Sequence, residues 1–582
     1  MMQIVLHQTD QKIADFETIL QYLQEQIPAK TKELGENCLH VMPELYLCGY
    51  PTQDLCLQKN FISRYQDSLK ELSSWVKKLD PEEHTWAVLA GGLSYKFDEN
   101  SIPLEIRNSI YEIRPGKKIK AIYHKMLLPN YDIFDEKKYY LPGDETKIYE
   151  FGSKKFGLLV CEDMWPSTTH KVNPINKYLE LDVEMDGVIN LSASPFHLNK
   201  TESRHQRATE ISKQFNCPFF YVNKVGGEDE IIFDGGSFAV NDEKVINESK
   251  FFEADITAIP LPEHPLSDPI QIIKTNNTWE SLFEVTLDES SKPPVIAKLT
   301  DEQCENALKA ISFGIKEYAR KTGFKKLLVA LSGGLDSTVV LAICKLMLGK
   351  EFECEAVFMP GQFSAGISYE YSEQLCKNIE VPFRIFSIKF IHSALRNAYR
   401  DTFKMDLTGN LADENIQSRI RGMMIYTHSN MVGSMVLNTS NKSEIAVGYS
   451  TQYGDSVGAI SPLGDLYKSE VFDLANYINK KFDGAIPQGI IDRPPSAELR
   501  EDQTDSQSLP PYDRLDAMLS CLLSYRYSNE ELKKMGYNTE EVEKIYNLIQ
   551  KSEYKRYQFC PILKLKAKSF GFGYRVPLSK HF

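Results

Sequence analysis

The feature that most constrains this chain is a short loop, Ser332-Gly333-Gly334-Leu335-Asp336-Ser337, between an apolar run, Lys326 to Leu331, and a helical one, Thr338 to Leu348. An apolar run of that length closed by glycines reads as a buried strand, so the local order is strand, glycine loop, helix. Two glycines let the backbone approach phosphate oxygens closely. The hydroxyls of Ser332 and Ser337 can donate to them, and the following helix directs its N-terminus at the anion. A pyrophosphate would fit there. No Gly-Lys-Ser/Thr follows, so Walker A describes the loop less well, and a plain strand-to-helix turn is the alternative.

The rest of the chain reads as α/β on both sides of one break. From Gln3 to about Pro262, short apolar runs (Ile4 to Leu6, Thr85 to Ala90, Phe156 to Val160, Asp186 to Asn190) alternate with helical stretches. Between Pro260 and Pro294 the periodicity fades into prolines and polar clusters. A helix then starts at Thr300, with Gln303 completing a capping box. Cys304, Leu308, Ile311, Ile315 and Tyr318 form its apolar stripe, and Gly323 is the expected stop. Domains are therefore expected at 1–262 and 300–582, with 263–299 as linker, and 582 residues suffice for two large units. Arg493-Pro494-Pro495 and Leu509-Pro510-Pro511 frame a stretch expected to be an ordered or substrate-gated loop.

Composition narrows the partners. Hydrophobic residues at 42% and charged residues at 25% are ordinary for a globular protein. No run approaches the ~18 apolar residues of a membrane helix, so no membrane partner is expected. A formal charge of -13 disfavours a nucleic-acid partner, which calls for a basic face. Small anions in a locally basic pocket remain open. The eleven cysteines show no CxxC pair and no zinc-like alternation with histidine. Met1 to Asp10 lacks the basic segment and long apolar stretch of a secretory signal. Reduced thiols and a cytoplasmic location are expected.

The glycine loop resembles the SGGxDS signature of the ATP pyrophosphatase superfamily, whose members adenylate a carboxylate or a nucleobase oxygen and release pyrophosphate. The signature alone leaves GMP synthetase, asparagine synthetase and RNA-thiolating enzymes open. Further segments are similar to the NAD synthetase family, in that family's order, from about Thr300 to the end. They are Glu414 to Arg421, Asn441-Lys442-Ser443-Glu444 with Val447-Gly448-Tyr449, Tyr453-Gly454-Asp455, and Pro494 to Leu499 followed by Gln503-Thr504-Asp505. The resemblance implies a Rossmann-like doubly wound parallel sheet. It implies ATP contacts at Leu331, Ser332, Gly333, Gly334, Leu335, Asp336, Ser337, Thr338 and Thr439, and deamido-NAD contacts at Asn415, Glu444 and Lys555. Magnesium accompanies ATP in the family, with Asp336 and Glu444 as ligands; this cation takes few oxygens from protein, so two carboxylates plus phosphates suffice. The family has Thr-Gly where this chain has Thr439-Ser440, so a different backbone path is expected there. Paired synthetase domains in the family imply a homo-oligomer, at least a dimer.

An amidase working through a thiol needs a nucleophile, a group to take its proton, and a cation or N–H donors for the oxyanion. Cys161 follows the run Phe156 to Val160, Glu44 follows Val41-Met42-Pro43, and Lys125 follows Ile122-Tyr123. Singly they read as a packed thiol, a loop carboxylate and a surface charge. Together with Leu128-Pro129-Asn130-Tyr131, Phe134-Asp135-Glu136 and Cys161-Glu162-Asp163 they resemble the Glu-Lys-Cys triad of the nitrilase superfamily, in the glutaminase version fused to NAD synthetase, over Gln3 to about Ile259. The resemblance implies an α-β-β-α sandwich with Glu44 as general base, Cys161 as nucleophile, Lys125 as oxyanion stabiliser and Glu136 as a supporting carboxylate. Tyr131, Ser194 and Lys200 match positions that hold glutamine. Both half-sites in one chain point to the glutamine-dependent NAD synthetase family, with glutamine, ATP and deamido-NAD as substrates. The rivals are an ATP pyrophosphatase amidating another carboxylate, which the Glu414 to Arg421 and Pro494 to Leu499 segments oppose, and a silent nucleotide-sensing or scaffold protein, which the complete triad and loop oppose.

Overall fold

The computed structural model describes residues 2–580 apart from 36, 167–169, 242–243, 262–286 and 502. Of these, the residues up to Glu228 together with Ile232–Leu261 form one compact unit, and Asp229–Ile231 with the residues from Leu287 onward form a second. The expected linker lies outside the described residues as far as 286. Its remainder is not open chain, because Leu287–Asp288 and Val295–Ile296 pair as antiparallel strands and Ile296 is buried in the same core as Leu515 and Met518. Apolar burial recruits those residues to the second unit.

The first unit is two six-stranded sheets face to face. One runs Asp255–Pro260, Gln3–Gln8, Cys38–Val41, Trp86–Phe97, Pro103–Ile113, Lys120–His124; the other runs Lys244–Glu248, Phe238–Asn241, Phe219–Asn223, Gly187–Ser192, Lys154–Val160, Ile148–Phe151. Ile4, Leu6, Leu39, Val41 and Leu89 of the first meet Phe156, Leu158, Val160, Ile189 and Leu191 of the second in one core. Each such side chain contributes about 1.5–3 kcal/mol on burial. Helix Phe16–Leu34 covers one outer face and Lys200–Phe215 the other, which is why the central strands read as unbroken apolar runs rather than alternating ones. This is the α-β-β-α sandwich. In each sheet the three central strands are parallel, and Val41, Val160 and Ser192 mark their carboxyl ends.

The second unit holds a four-stranded parallel sheet in the order Phe383–Ile385, Glu353–Phe358, Lys326–Leu331, Met435–Leu437. The chain winds outward through two strands, then returns to pair on the far side of the first. The order reverses between Lys326–Leu331 and Met435–Leu437, and a crevice at the carboxyl ends of such a switch is where doubly wound sheets bind ligands. Helix Asp301–Thr322 begins in the expected capping box of Thr300 and Gln303 and ends at Gly323 in left-handed backbone. The helix after the glycine loop starts at Leu335 rather than Thr338, because Gly334 takes the cap position in extended backbone. Asp336 therefore sits in a first helical turn, where unpaired N–H groups favour a carboxylate. Among the described residues no helix is long and apolar enough to cross a membrane.

Candidate active sites

The thiol site forms where the two sheets present their parallel carboxyl ends. Cys161 directly follows strand Lys154–Val160 and opens the turn Cys161–Met164 with φ +43°. Such left-handed backbone is unusual for a residue with a side chain, and it lifts the thiol out of the strand. Glu44 is equally constrained from behind, since a Cβ on Gly91 would come within 2.2 Å of the Leu45 nitrogen. Lys125 is anchored through its own N–H to the Asn108 carbonyl at 2.8 Å. One buried carboxylate joins the lysine and thiol segments: Asp163 accepts the N–H groups of Met126 at 3.0 Å, Leu127 at 2.8 Å and Val160 at 3.0 Å, and the Tyr123 hydroxyl at 2.8 Å.

The charges close on one another. Lys125 Nζ lies 2.7 Å from Glu44 Oε1 and 2.9 Å from Glu136 Oε1. Asn108 donates to the same Glu44 oxygen at 2.7 Å, the Ala193 N–H donates to Oε2 at 3.0 Å, and Tyr50 donates to Glu136 at 3.1 Å. Burial works against the Lys125 charge, yet Glu136 and Glu44 outweigh it and hold the ammonium well above the ordinary lysine range. Burial pushes Glu136 up to about 8, with Lys125 pulling the other way. Burial, and next the Glu44 charge, push the Cys161 thiol well up, so at rest Cys161 is a protonated thiol in the field of the Glu44 carboxylate. Of the residues expected to hold glutamine, Tyr131 donates to both Glu162 oxygens, at 3.1 and 2.9 Å. Lys200 lies over the Trp165 ring and acts electrostatically on Glu162. Ser194 follows Ala193, its N–H bonded to Asn223 at 2.8 Å and its hydroxyl accepting from Arg204 at 3.2 Å. Arg204, buried with Asp234 at 2.8 Å, fixes this corner.

In the second unit a cavity of about 280 Å³ opens at the topological switch, lined by Leu331 to Ser337, Thr439, Glu444, Lys468 and Asp455, with Arg421 and Arg493 also in its wall. Gly333 has φ +80°, and a Cβ there would meet the Ser368 carbonyl at 2.5 Å, so both conformation and space demand glycine. Ser332 and Ser337 hold the loop through their hydroxyls at 3.1 Å. Thr338 is buried one step further into the helix, outside the lining, and its hydroxyl has no partner among the described residues. Asp336 accepts Asn441 Nδ2 at 3.0 Å and pairs with Lys468, and Lys468 also faces Glu444 at 3.7 Å. Burial first, and Asp336 next, push Glu444 up to about 8. Asn415 and Lys555 do not line this cavity. Asn415 accepts the Thr451 hydroxyl at 2.8 Å, and Lys555 donates to the carbonyls of Gly448 at 2.6 Å and Ser450 at 2.7 Å, so both brace the segment leading to Asp455. Ser440 has no positive φ, so serine fits where the family has glycine.

Two carboxylates at one wall, Asp336 and Glu444, both facing Lys468, are a hard-oxygen donor set that fits magnesium. Among the described residues no cluster of three or more His, Cys, Asp or Glu suits a metal.

Reading the sequence did not single out Lys468, Asn108 or Tyr50, and it named Asn441 only within a family segment. The usable signal was for Glu44: a Gly91-Gly92 pair inside an apolar strand marks a close backbone approach.

The carbon-nitrogen hydrolase family model matches residues 4–253 and the NAD synthase family model residues 307–559. The chain is 36% identical over 552 residues to the glutamine-dependent NAD(+) synthetase of Synechocystis sp., covering 94% of this chain and 93% of that one. It is 33% identical to the Thermotoga maritima protein of the same description, covering 100% and 99%. The solved structure of the glutamine-dependent NAD+ synthetase of Acinetobacter baumannii, in complex with ADP, superposes with a TM-score of 0.70 at 28% identity, over 99% of this chain and 98% of that one.

Proposed function

The chain belongs to the glutamine-dependent NAD(+) synthetase family, and from that premise we propose how its residues divide the reaction. It hydrolyses glutamine to glutamate and ammonia, and uses ATP to adenylate deamido-NAD and amidate it to NAD, with release of AMP and pyrophosphate. The observation that carries the residue assignment is the closed cluster of Lys125 with Glu44 and Glu136 beside a thiol at a strand end.

Glu44 takes the Cys161 proton as sulfur attacks the side-chain amide carbon of glutamine, held by Tyr131, Ser194 and Lys200. Lys125 stabilises the oxyanion, and Glu136 keeps Lys125 charged and in place. Collapse breaks the C–N bond, Glu44 returns its proton to the leaving nitrogen, and ammonia departs. Water, deprotonated by Glu44, then cleaves the thioester to glutamate.

In the second unit the Ser332 to Ser337 loop and Thr439 cradle ATP, Lys468 adds a positive charge, and Glu444 places deamido-NAD from the cavity wall, while Asn415 and Lys555, outside that cavity, act on it through the segment they brace. The nicotinate carboxylate attacks the α-phosphorus and pyrophosphate leaves; ammonia then attacks the acyl carbon and AMP leaves. Asp336 and Glu444 would hold magnesium, which when bound neutralises charge on the transferring phosphoryl group. Excluding water protects the adenylate from hydrolysis.

We place the enzyme in the cytoplasm, as at least a dimer joined through this unit. Phe390, Phe403, Leu411, Met423 and Met431 stand exposed along Lys389–Phe403 and Leu411–Val432, an apolar surface that a second copy would cover. A monomeric mass in solution with full activity would overturn the dimer. For the reaction, the enzyme is given ATP, magnesium and deamido-NAD with either glutamine or ammonium. NAD and AMP in equal amounts with both nitrogen sources are expected, and a lack of AMP in every combination defeats the reading.

A further inference from the structure

Three charged residues in the nucleotide pocket come from separate segments. Asp336 follows the glycine loop, while Glu444 and Lys468 stand in the first turns of Lys442–Val447 and Lys468–Lys481. Both of those turns hang on one carboxylate that does not line the cavity. Asp516, fully buried in helix Tyr512–Leu523, accepts the Ser443 hydroxyl at 2.5 Å on Oδ1. On Oδ2 it accepts the Ser469 N–H at 2.9 Å and the Ser469 hydroxyl at 2.7 Å. Ser443 Oγ in turn accepts the backbone N–H of Lys468 at 2.9 Å, so its own proton points to Asp516. Ser443 precedes Glu444 and Ser469 follows Lys468. The carboxylate thus grips the chain one residue away from each pocket side chain.

A buried charge is a poor way to fill a core. The neighbours Leu515, Ala517, Met518 and Leu519 are all fully buried and apolar, and an apolar residue of similar volume at such a site is often neutral or stabilising. Burial pushes Asp516 up to about 7 in spite of its hydrogen bonds, so those bonds offset the cost of desolvation only in part. What the carboxylate supplies that an apolar side chain cannot is a fixed spacing between two helix starts.

We propose that Asp516 is a positioning residue for the adenylating site, setting Lys468 against Asp336 and Glu444 by holding Ser443 and Ser469. This rests on the reading of Lys468, Asp336 and Glu444 as the charged residues of the ATP-dependent half. The test uses the whole chain in ammonium-driven NAD synthesis, with ATP varied and its binding measured separately by calorimetry. Asp516→Asn turns one acceptor oxygen into a donor, so either Ser443 must turn its proton away or the Ser469 N–H and hydroxyl lose their acceptor, and kcat/KM for ATP should fall about 10- to 100-fold, the scale of an ångström-level misplacement. In a Lys468→Met background the same substitution should cost clearly less than it does alone, because one of the two side chains it positions is gone; losses that multiply in full would overturn the proposal. If Lys468→Met alone leaves ATP binding and KM unchanged, the pocket reading has failed and the proposal falls with it. If Lys468→Met impairs ATP use and Asp516→Asn does not, only the positioning role is wrong. Should Asp516→Asn fail to fold, Ser443→Ala and Ser469→Ala each delete side-chain bonds to the carboxylate. Both should raise the ATP KM about threefold or more, and unchanged KM in both overturns the role.

Discussion

The two sites begin at the same kind of place, the carboxyl ends of parallel strands, and treat charge in opposite ways. In the thiol site Lys125 and Glu44 have no exposed side-chain surface and Glu136 has 5%; the protein's own carboxylates match its cation. In the nucleotide pocket Asp336 and Glu444 keep 15% and 19% exposure beside a cavity walled in part by Arg421 and Arg493. On the proposed assignment, the difference follows from the substrate each site would handle. A glutamine side-chain amide is neutral, so the charges that polarise it must be preorganised in protein. ATP brings its own charge, and its pocket leaves room for it.

The largest effect should come from breaking the first site alone. Cys161→Ala removes the covalent route to ammonia, so glutamine-driven synthesis should fall by about 10⁴-fold or more, with ammonium-driven synthesis kept within about threefold. NAD and AMP measured with each nitrogen source decide it, and loss of both activities would show that the sites are not separable. Asp336→Asn strikes the shared step and should cost about 10²–10³-fold with either donor; near-normal rates with ammonium would remove Asp336 from the machinery. A smaller pair of effects tests the charge contrast through stability. Lys125→Met strands the buried Glu44 charge in the core and should cost about 3–5 kcal/mol in urea unfolding, whereas Lys468→Met, whose partners reach solvent, should cost less than half of that. Equal losses would erase the contrast.

The smallest expected effect concerns Glu444, raised to about 8 by burial and then by Asp336. A carboxyl whose folded-state proton affinity exceeds its unfolded one contributes stability that is full below the ordinary glutamate range and is lost as pH rises through about 8. Glu444→Gln stays neutral throughout. From pH 6 to 9 the wild-type thermal midpoint should therefore fall relative to that of the variant, by about a few degrees. A constant difference would mean that Glu444 is already ionised at pH 6.

Residues at strand ends were the legible ones. Apolar runs before Glu44, Lys125 and Cys161 mark strands, parallel ones for Glu44 and Cys161 and an antiparallel edge strand for Lys125, and a residue just past a strand end has its place set by the sheet. The strands at Ile4 to Leu6 and Phe156 to Val160 and the capping box at Thr300 were readable for the same local reasons. Lys468 was not, since it meets Asp336 across 132 positions and carries no periodic or turn signal. Asn108, in mid-strand, and Asp516, in an apolar helix, gain their meaning only from neighbours supplied by distant segments. The start of the helix at Leu335 was missed because Gly334 looks like loop until its extended backbone is seen to cap the first turn.

Position 161 bears a tension of another kind. Cysteine held at φ +43° costs about 1 kcal/mol of backbone strain that glycine would not, against which its burial in the sandwich core is a partial offset. Foldability and turnover therefore select in opposite directions at this one codon. In a lineage supplied with ammonia and released from its need for glutamine, the thiol should be among the first losses, with drift towards glycine leaving the sandwich intact and its chemistry gone.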